Sequence, residues 1–153
     1  MNRKWVVVAA AAGAFIMGTV SVTLSVAQEK KKESKLHRIM EKVNRNNSVI
    51  QKGTRNAVFY KKAERDIARS AKEMVKLAKE AKPLGKDSLE KAKVANPQKV
   101  WDDYSDAFIK SAEELEQLLS KVGAPYDKVK PAFGAVKKSC ADCHKDFRVE
   151  DEF

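Results

Sequence analysis

The sequence predicts an all-α domain folded as an antiparallel up-down-up-down four-helix bundle. Apolar residues recur with a helical period in four long segments. Glycine and proline punctuate those segments, leaving short links after the first and third, the spacing that makes consecutive helices antiparallel neighbours. No segment alternates as a strand does. With 153 residues, four prolines and six glycines, the chain has room for one domain of ordinary size, placed over residues 28–153.

Each helix has its own signals. Ser34 is positioned to cap a first helix that runs to Lys52 and stops at Gly53. Leu36, Ile39, Met40, Val43 and Ile50 form its apolar stripe, and His37 lies on the flank, about 100° from the stripe's centre. A second helix is expected from Thr54 to Lys82 with Phe59, Ala63, Ile67, Ser70, Met74, Leu77 and Ala81 inward, ended by Pro83 and Gly85. The connection from Pro83 to Ala95 is long for a bundle, with a short helical turn expected between Ser88 and Lys93. Asn96-Pro97 starts the third helix, Asn as N-cap and Pro at the first helical position, where its missing N–H is harmless. Val100, Trp101, Tyr104, Phe108, Ala112, Leu115, Leu119 and Val122 make its inner stripe, and Gly123 ends it. The fourth helix carries Val129, Phe133, Val136, Cys140, Cys143, His144 and Phe147, with Pro131 predicting an irregular or late first turn.

Residues 1–27 differ from the rest. Asn2-Arg3-Lys4 is followed by an almost wholly apolar run from Trp5 to Val20, and Ser25-Val26-Ala27 offers small residues for cleavage. This is the pattern of a secretory signal peptide cleaved after Ala27, the competing reading being an uncleaved membrane anchor. The expected location is a bacterial periplasm. Loss of Arg3 and Lys4 lowers the formal charge from +10 to +8.

The chemistry is concentrated in Cys140-Ala141-Asp142-Cys143-His144, which reads as a c-type haem attachment site. Two thiols each add to one haem vinyl group, and the imidazole beside them supplies an axial nitrogen to the iron. On a helix the three side chains fall within an arc of roughly 100°. The rival readings are a redox disulfide, half of a zinc site, or chance. A thioredoxin-like pair belongs beside a βαβ unit, and zinc requires two further ligands, whereas these are the only two cysteines and His37 is the only other histidine. With two propionates the mature charge becomes about +6, a field suited to steering onto an acidic redox partner or simply to solvation. The lysines are spread along helices among acids, which argues against nucleic-acid binding. No stable membrane association is expected after leader cleavage.

In the predicted topology, His144, Met40, Met74, Trp101 and Tyr104 share one end of the bundle, beside the long second connection. An inward methionine at the depth of His144 offers a thioether sulfur as sixth iron ligand. Met40 and Met74 both meet that condition, with an empty position or His37 as the remaining alternatives. Trp101 and Tyr104 read as pocket walls, the usual fate of large aromatics at inward spacing.

Residues 28–153 resemble the class II cytochromes c, the cytochrome c-prime family, and most closely its low-spin, methionine-ligated branch. The resemblance lies in Cys140-Ala141-Asp142-Cys143-His144-Lys145-Asp146-Phe147-Arg148, in Lys99-Val100-Trp101, and in Ile39-Met40-Glu41-Lys42-Val43-Asn44-Arg45-Asn46. It implies one covalent haem c with His144 as proximal ligand and Met40 as the sixth, Arg148 close to the haem, Met74 as a pocket residue, and dimerisation through the first two helices. Family members often carry an arginine one turn before the distal residue; Leu36 stands there in this chain.

The expected function is therefore that of a periplasmic monohaem electron carrier, without a catalysed reaction of its own. The alternative is a high-spin protein that binds nitric oxide or carbon monoxide at an open sixth position. A peroxidase-like enzyme wants an acid/base residue over an open distal face, and His37 on its flank is poorly placed for that.

Overall fold

Residues 34–148 are described by a computed structural model, in which five α-helices and a 3-10 turn account for most of the chain. Helix α1 spans Lys35–Gly53, α2 Ala57–Ala81, α3 Lys86–Lys91, α4 Pro97–Leu119 and α5 Tyr126–Phe147, with the 3-10 turn at Lys82–Leu84. The four long helices are the expected bundle, and α3 is the short helical turn of the second connection. The expected leader and cleavage site lie outside the described residues. Among the described residues, no helix is long and apolar enough to cross a membrane.

Local chemistry sets the helix ends. The Ser34 hydroxyl accepts from the His37 backbone N–H at 3.1 Å, and the Asn56 side chain accepts from Phe59 N–H at 3.0 Å, so α1 and α2 both begin on side-chain caps. Thr54 closes α1 and donates its hydroxyl to the Ile50 carbonyl at 2.8 Å. Asn96 is the N-cap of α4 as expected, but its side chain makes no capping bond; it adopts φ 52° instead, a left-handed turn that asparagine tolerates better than most residues. The prolines also differ from expectation. Pro125 is the N-cap of α5, Lys128 and Val129 N–H bond to its carbonyl, and the helix runs through Pro131 without a delayed start.

Two inward assignments are corrected. Phe59 is half-exposed and Tyr60 takes its place in the core. Seven residues make nearly two full turns, so Tyr60 is in line with Ile67 whereas Phe59 is rotated by about 80°. Val122 lies beyond the end of α4 and is 94% exposed, because the helix stops at Leu119 and Gly123 turns the chain with φ 83°.

The core runs the length of the bundle. Ile39, Val43 and Ile50 of α1 meet Ile67, Met74 and Leu77 of α2, Leu115 of α4 and Val129 and Val136 of α5. The packed neighbours are α1 with α2, α2 with α4, and α4 with α5; α1 and α5 make almost no close backbone approach. The bundle is thus two helical hairpins joined along α2 and α4.

At the end formed by the α1–α2 and α4–α5 corners, polar bonds join the hairpins. The Tyr60 hydroxyl donates to the Ala124 carbonyl at 2.8 Å and the Tyr126 hydroxyl to the Thr54 carbonyl at 3.1 Å, with the two rings 5.7 Å apart. The Glu64 carboxylate accepts from Gly123 N–H and Ala124 N–H. Tyr60→Phe leaves the Ala124 carbonyl without this donor and is expected to lower stability by about 1 kcal/mol. Urea denaturation followed by helical circular dichroism measures that loss.

Candidate haem site

The opposite end is built on the last two turns of α5. Cys140 and Cys143 are free thiols, both half-buried, and His144 lies at the helix surface beside them. Cys140 packs against the main core cluster, as do Leu36 and Met40 from α1. Met74 is fully buried within that cluster. Met40, Met74 and Cys140 therefore border one apolar interior, the first and last of them on two helices whose backbones stay apart. His37 and Arg38 are exposed on α1, away from that interior, and His37 contributes only its backbone to the Ser34 cap.

The wall opposite is aromatic. Trp101 is 4% exposed, stands edge-on to Phe147 at 5.4 Å between ring centroids, and donates its indole N–H to the Lys82 carbonyl at 2.8 Å. Tyr104 also stands edge-on to Phe147, at 6.2 Å, and donates to the Asp146 carboxylate at 2.9 Å. Trp101 and Tyr104 thus clamp the last turn of α5 rather than standing free in a cavity. Phe147, Asp146 and the Lys82 carbonyl were not singled out as site residues in the sequence. Phe147 was legible as an inward residue, but a backbone acceptor leaves no sequence signal. Below this turn, the Ser111 and Ser139 hydroxyls bond to each other at 3.1 Å, satisfying two polar groups in the α4–α5 interface. The second connection also belongs here, since α3 packs against both α4 and α5.

The electrostatics suit a ligand-bearing turn better than a redox dithiol. Burial pushes the Cys140 thiol up to about 11, and burial, with Cys140 and Asp146 adding, does the same to Cys143. Reactive Cys-x-x-Cys pairs move in the opposite direction, toward thiolate. Partial desolvation and the Arg148 charge lower the His144 pKa, favouring the neutral imidazole that binds a metal. Arg148 caps α5 through its N–H to the His144 carbonyl, which holds the arginine one turn beyond the histidine. Among the described residues, no group of three His, Cys, Asp or Glu side chains gathers as a metal-binding cluster of the kind zinc requires.

These residues fit a covalent haem. The donor set is two thiols one turn apart and the imidazole next to the second, all on α5, with an apolar interior and a methionine sulfur bordering it from α1. A planar macrocycle lodged between two helices needs backbones that do not interlock, and α1 and α5 meet that condition.

The family model described as Cytochrome C' matches residues 28–148. No curated protein and no solved structure matches the chain. The matched segment takes in all four long helices and the whole Cys140–His144 motif, so the chain belongs to the cytochrome c′ family, monohaem c-type cytochromes with one covalently attached haem c.

Proposed function

We propose that this cytochrome is a periplasmic electron carrier whose iron is held by His144 and Met40. The observation that carries this reading is the position of Met40, a thioether half-buried against the same core cluster as Cys140, on a helix whose backbone stays apart from that of α5. When bound, the haem supplies a ferrous/ferric couple. Cys140 and Cys143 anchor it as thioethers, His144 binds the iron from α5, and Met40 binds from α1. The sulfur ligand favours the reduced state relative to harder donors.

The remaining residues orient and shield. Phe147, packed edge-on against Trp101 and Tyr104, fixes the backbone turn that carries His144. Met74 fills the interior and excludes water from it. Arg148 supplies positive charge near the histidine. No acid or base is needed, and we assign no catalysed reaction. The mature protein's basic charge suits acidic redox partners. Export to the periplasm agrees with the leader-like residues 1–27 and with a family that is generally exported.

Absorption spectra of the ferric and ferrous protein, with and without carbon monoxide, test the reading. Low-spin spectra in both states that carbon monoxide leaves unchanged are the expected result. A high-spin ferric spectrum, or rapid formation of a carbon monoxide adduct, overturns it in favour of gas binding.

A further inference from the structure

The end of the bundle farthest from the haem carries large apolar side chains in water. Val58 is 66% exposed, Phe59 50% and Val122 94%. They come from two corners that are distant in sequence, yet the bonds from Tyr60 to Ala124, from Tyr126 to Thr54 and from Glu64 to Gly123 and Ala124 lock those corners together. The apolar tips therefore stand on a rigid platform. Nothing in core packing requires them, since Tyr60 already fills the inward position beside Phe59.

Positive charge surrounds the tips. Lys52, Arg55, Lys61 and Lys62 flank the first corner, and Lys121 and Lys128 the second, all exposed. None of these six cations joins an ion pair among the described residues. Elsewhere on the bundle Lys79, Lys82, Lys99 and Lys138 are paired with acids while others among the described residues, such as Lys72 and Lys110, are not, so what distinguishes this end is cations beside exposed apolar tips. Of the acids at this end, Glu64 is bonded to backbone N–H groups and Asp66 faces Arg69, which leaves Glu116 and Asp127 as counter-charges to the six cations. Beside Lys52 and Arg55 lies an open depression of about 440 Å³, also lined by Ser48 and Gln51, with donors suited to a phosphate group.

We propose that this end docks reversibly on an anionic lipid bilayer. Val58, Phe59 and Val122 enter the interface, and the ring of cations meets headgroup phosphates. A handful of apolar tips on a convex end is too small for a stable protein interface, which buries about 800 Å² per partner. It is sufficient for interfacial lipid binding, in which modest apolar burial and roughly 1 kcal/mol per cation near the surface combine. The attachment is peripheral, consistent with the expectation that no stable membrane association follows leader cleavage. Tyr126 and Cys143 are separated by 17 residues along α5, so the haem end stands about 25 Å from the docked end and faces outward. The inference does not depend on which group ligates the iron.

Co-sedimentation of the haem-loaded protein with phosphatidylglycerol–phosphatidylcholine vesicles, and with phosphatidylcholine alone, provides the test. Salt-sensitive binding to the mixed vesicles only is expected. Combined Phe59→Ser and Val122→Ser, or combined Lys52→Glu and Arg55→Glu, should weaken it at least about tenfold. Lys72→Glu with Lys76→Glu, an equal charge change in the second half of α2, should have a clearly smaller effect. Unchanged haem spectra and melting curves verify that each variant is folded. Absence of binding, equal binding to neutral vesicles, or binding insensitive to the end substitutions, as a retained leader would give, overturns the proposal. So does a dimer that forms through Phe59 and Val122 without vesicle binding.

Discussion

Met40→Ala is expected to turn a low-spin protein into a high-spin one, lower its reduction potential and open the ferrous iron to rapid carbon monoxide binding. Removal of the sulfur leaves the iron with His144 as its only protein ligand, and methionine coordination is what raises the potential. The comparison that gives this result meaning is Met74→Ala. Met74 is fully buried among core residues, so truncation leaves a cavity and is expected to destabilise the fold by about 2–5 kcal/mol while leaving the spin state low. Met40 is only half-buried, and its truncation should cost the polypeptide core less. Absorption spectra and denaturant melts on the two variants separate ligand from filler. If Met74→Ala changes the spin state and Met40→Ala does not, the ligand assignment is wrong.

Gly85→Ala is expected to be nearly as disruptive, although alanine is ordinarily a mild replacement. Gly85 has φ −69°, which any residue can adopt, so conformational freedom is not what the position requires. What it requires is space: a Cβ at Gly85 would stand 2.6 Å from Trp101 Nε1 and closer still to Cε2. Either the indole or the turn must move, and the Trp101 bond to the Lys82 carbonyl and the edge contact with Phe147 depend on both. Overpacking of this kind costs about 1–3 kcal/mol, and the lost hydrogen bond about 1 kcal/mol more. Tryptophan fluorescence should report a displaced ring, and a shifted haem spectrum should accompany it because Phe147 borders the turn that carries His144. A variant with unchanged stability and spectrum would show that Trp101 does not hold this turn.

The bundle and the attachment motif were legible because both rest on local rules. Helical periodicity marked Ile39, Val43, Ile67, Leu115 and Val136 as core, and all are buried. The Ser34 cap followed from side-chain chemistry within a few residues, whereas the expected stop at Gly53 falls one residue later, on Thr54, because Gly53 is helical and buried against Ile67. The mistakes came where a one-residue choice of phase decided the outcome. Phe59 and Tyr60 are both aromatic at the start of a helix, and only the alignment with Ile67 separates them. Val122 continued an apolar stripe on paper, but a helix that ends at Leu119 has no inner face to offer it. The clamp on Phe147 was illegible for a different reason: one of its anchors is the Lys82 carbonyl, supplied by a 3-10 turn nineteen positions from Trp101. The affiliation of the corners was hidden likewise, since Glu64 meets Gly123 across 59 positions.

The sparse contact between α1 and α5 changes what the prosthetic group means for the polypeptide. Two hairpins joined along a single seam resemble the leaves of a book whose outer covers are free. If Met40 and His144 are the ligands, as proposed, the iron would fasten the first cover to the last and close a loop that encompasses nearly the whole folded chain. A permanent cross-link around a loop of that size removes about 5 kcal/mol of freedom from the unfolded chain on chain-entropy reasoning. The clasp is also reversible, because a thioether can leave iron where a thioether bond to carbon cannot. Release of one sulfur would then loosen a hairpin as well as free a coordination site, so that ligand exchange at the metal is read out as mechanical slack in the protein.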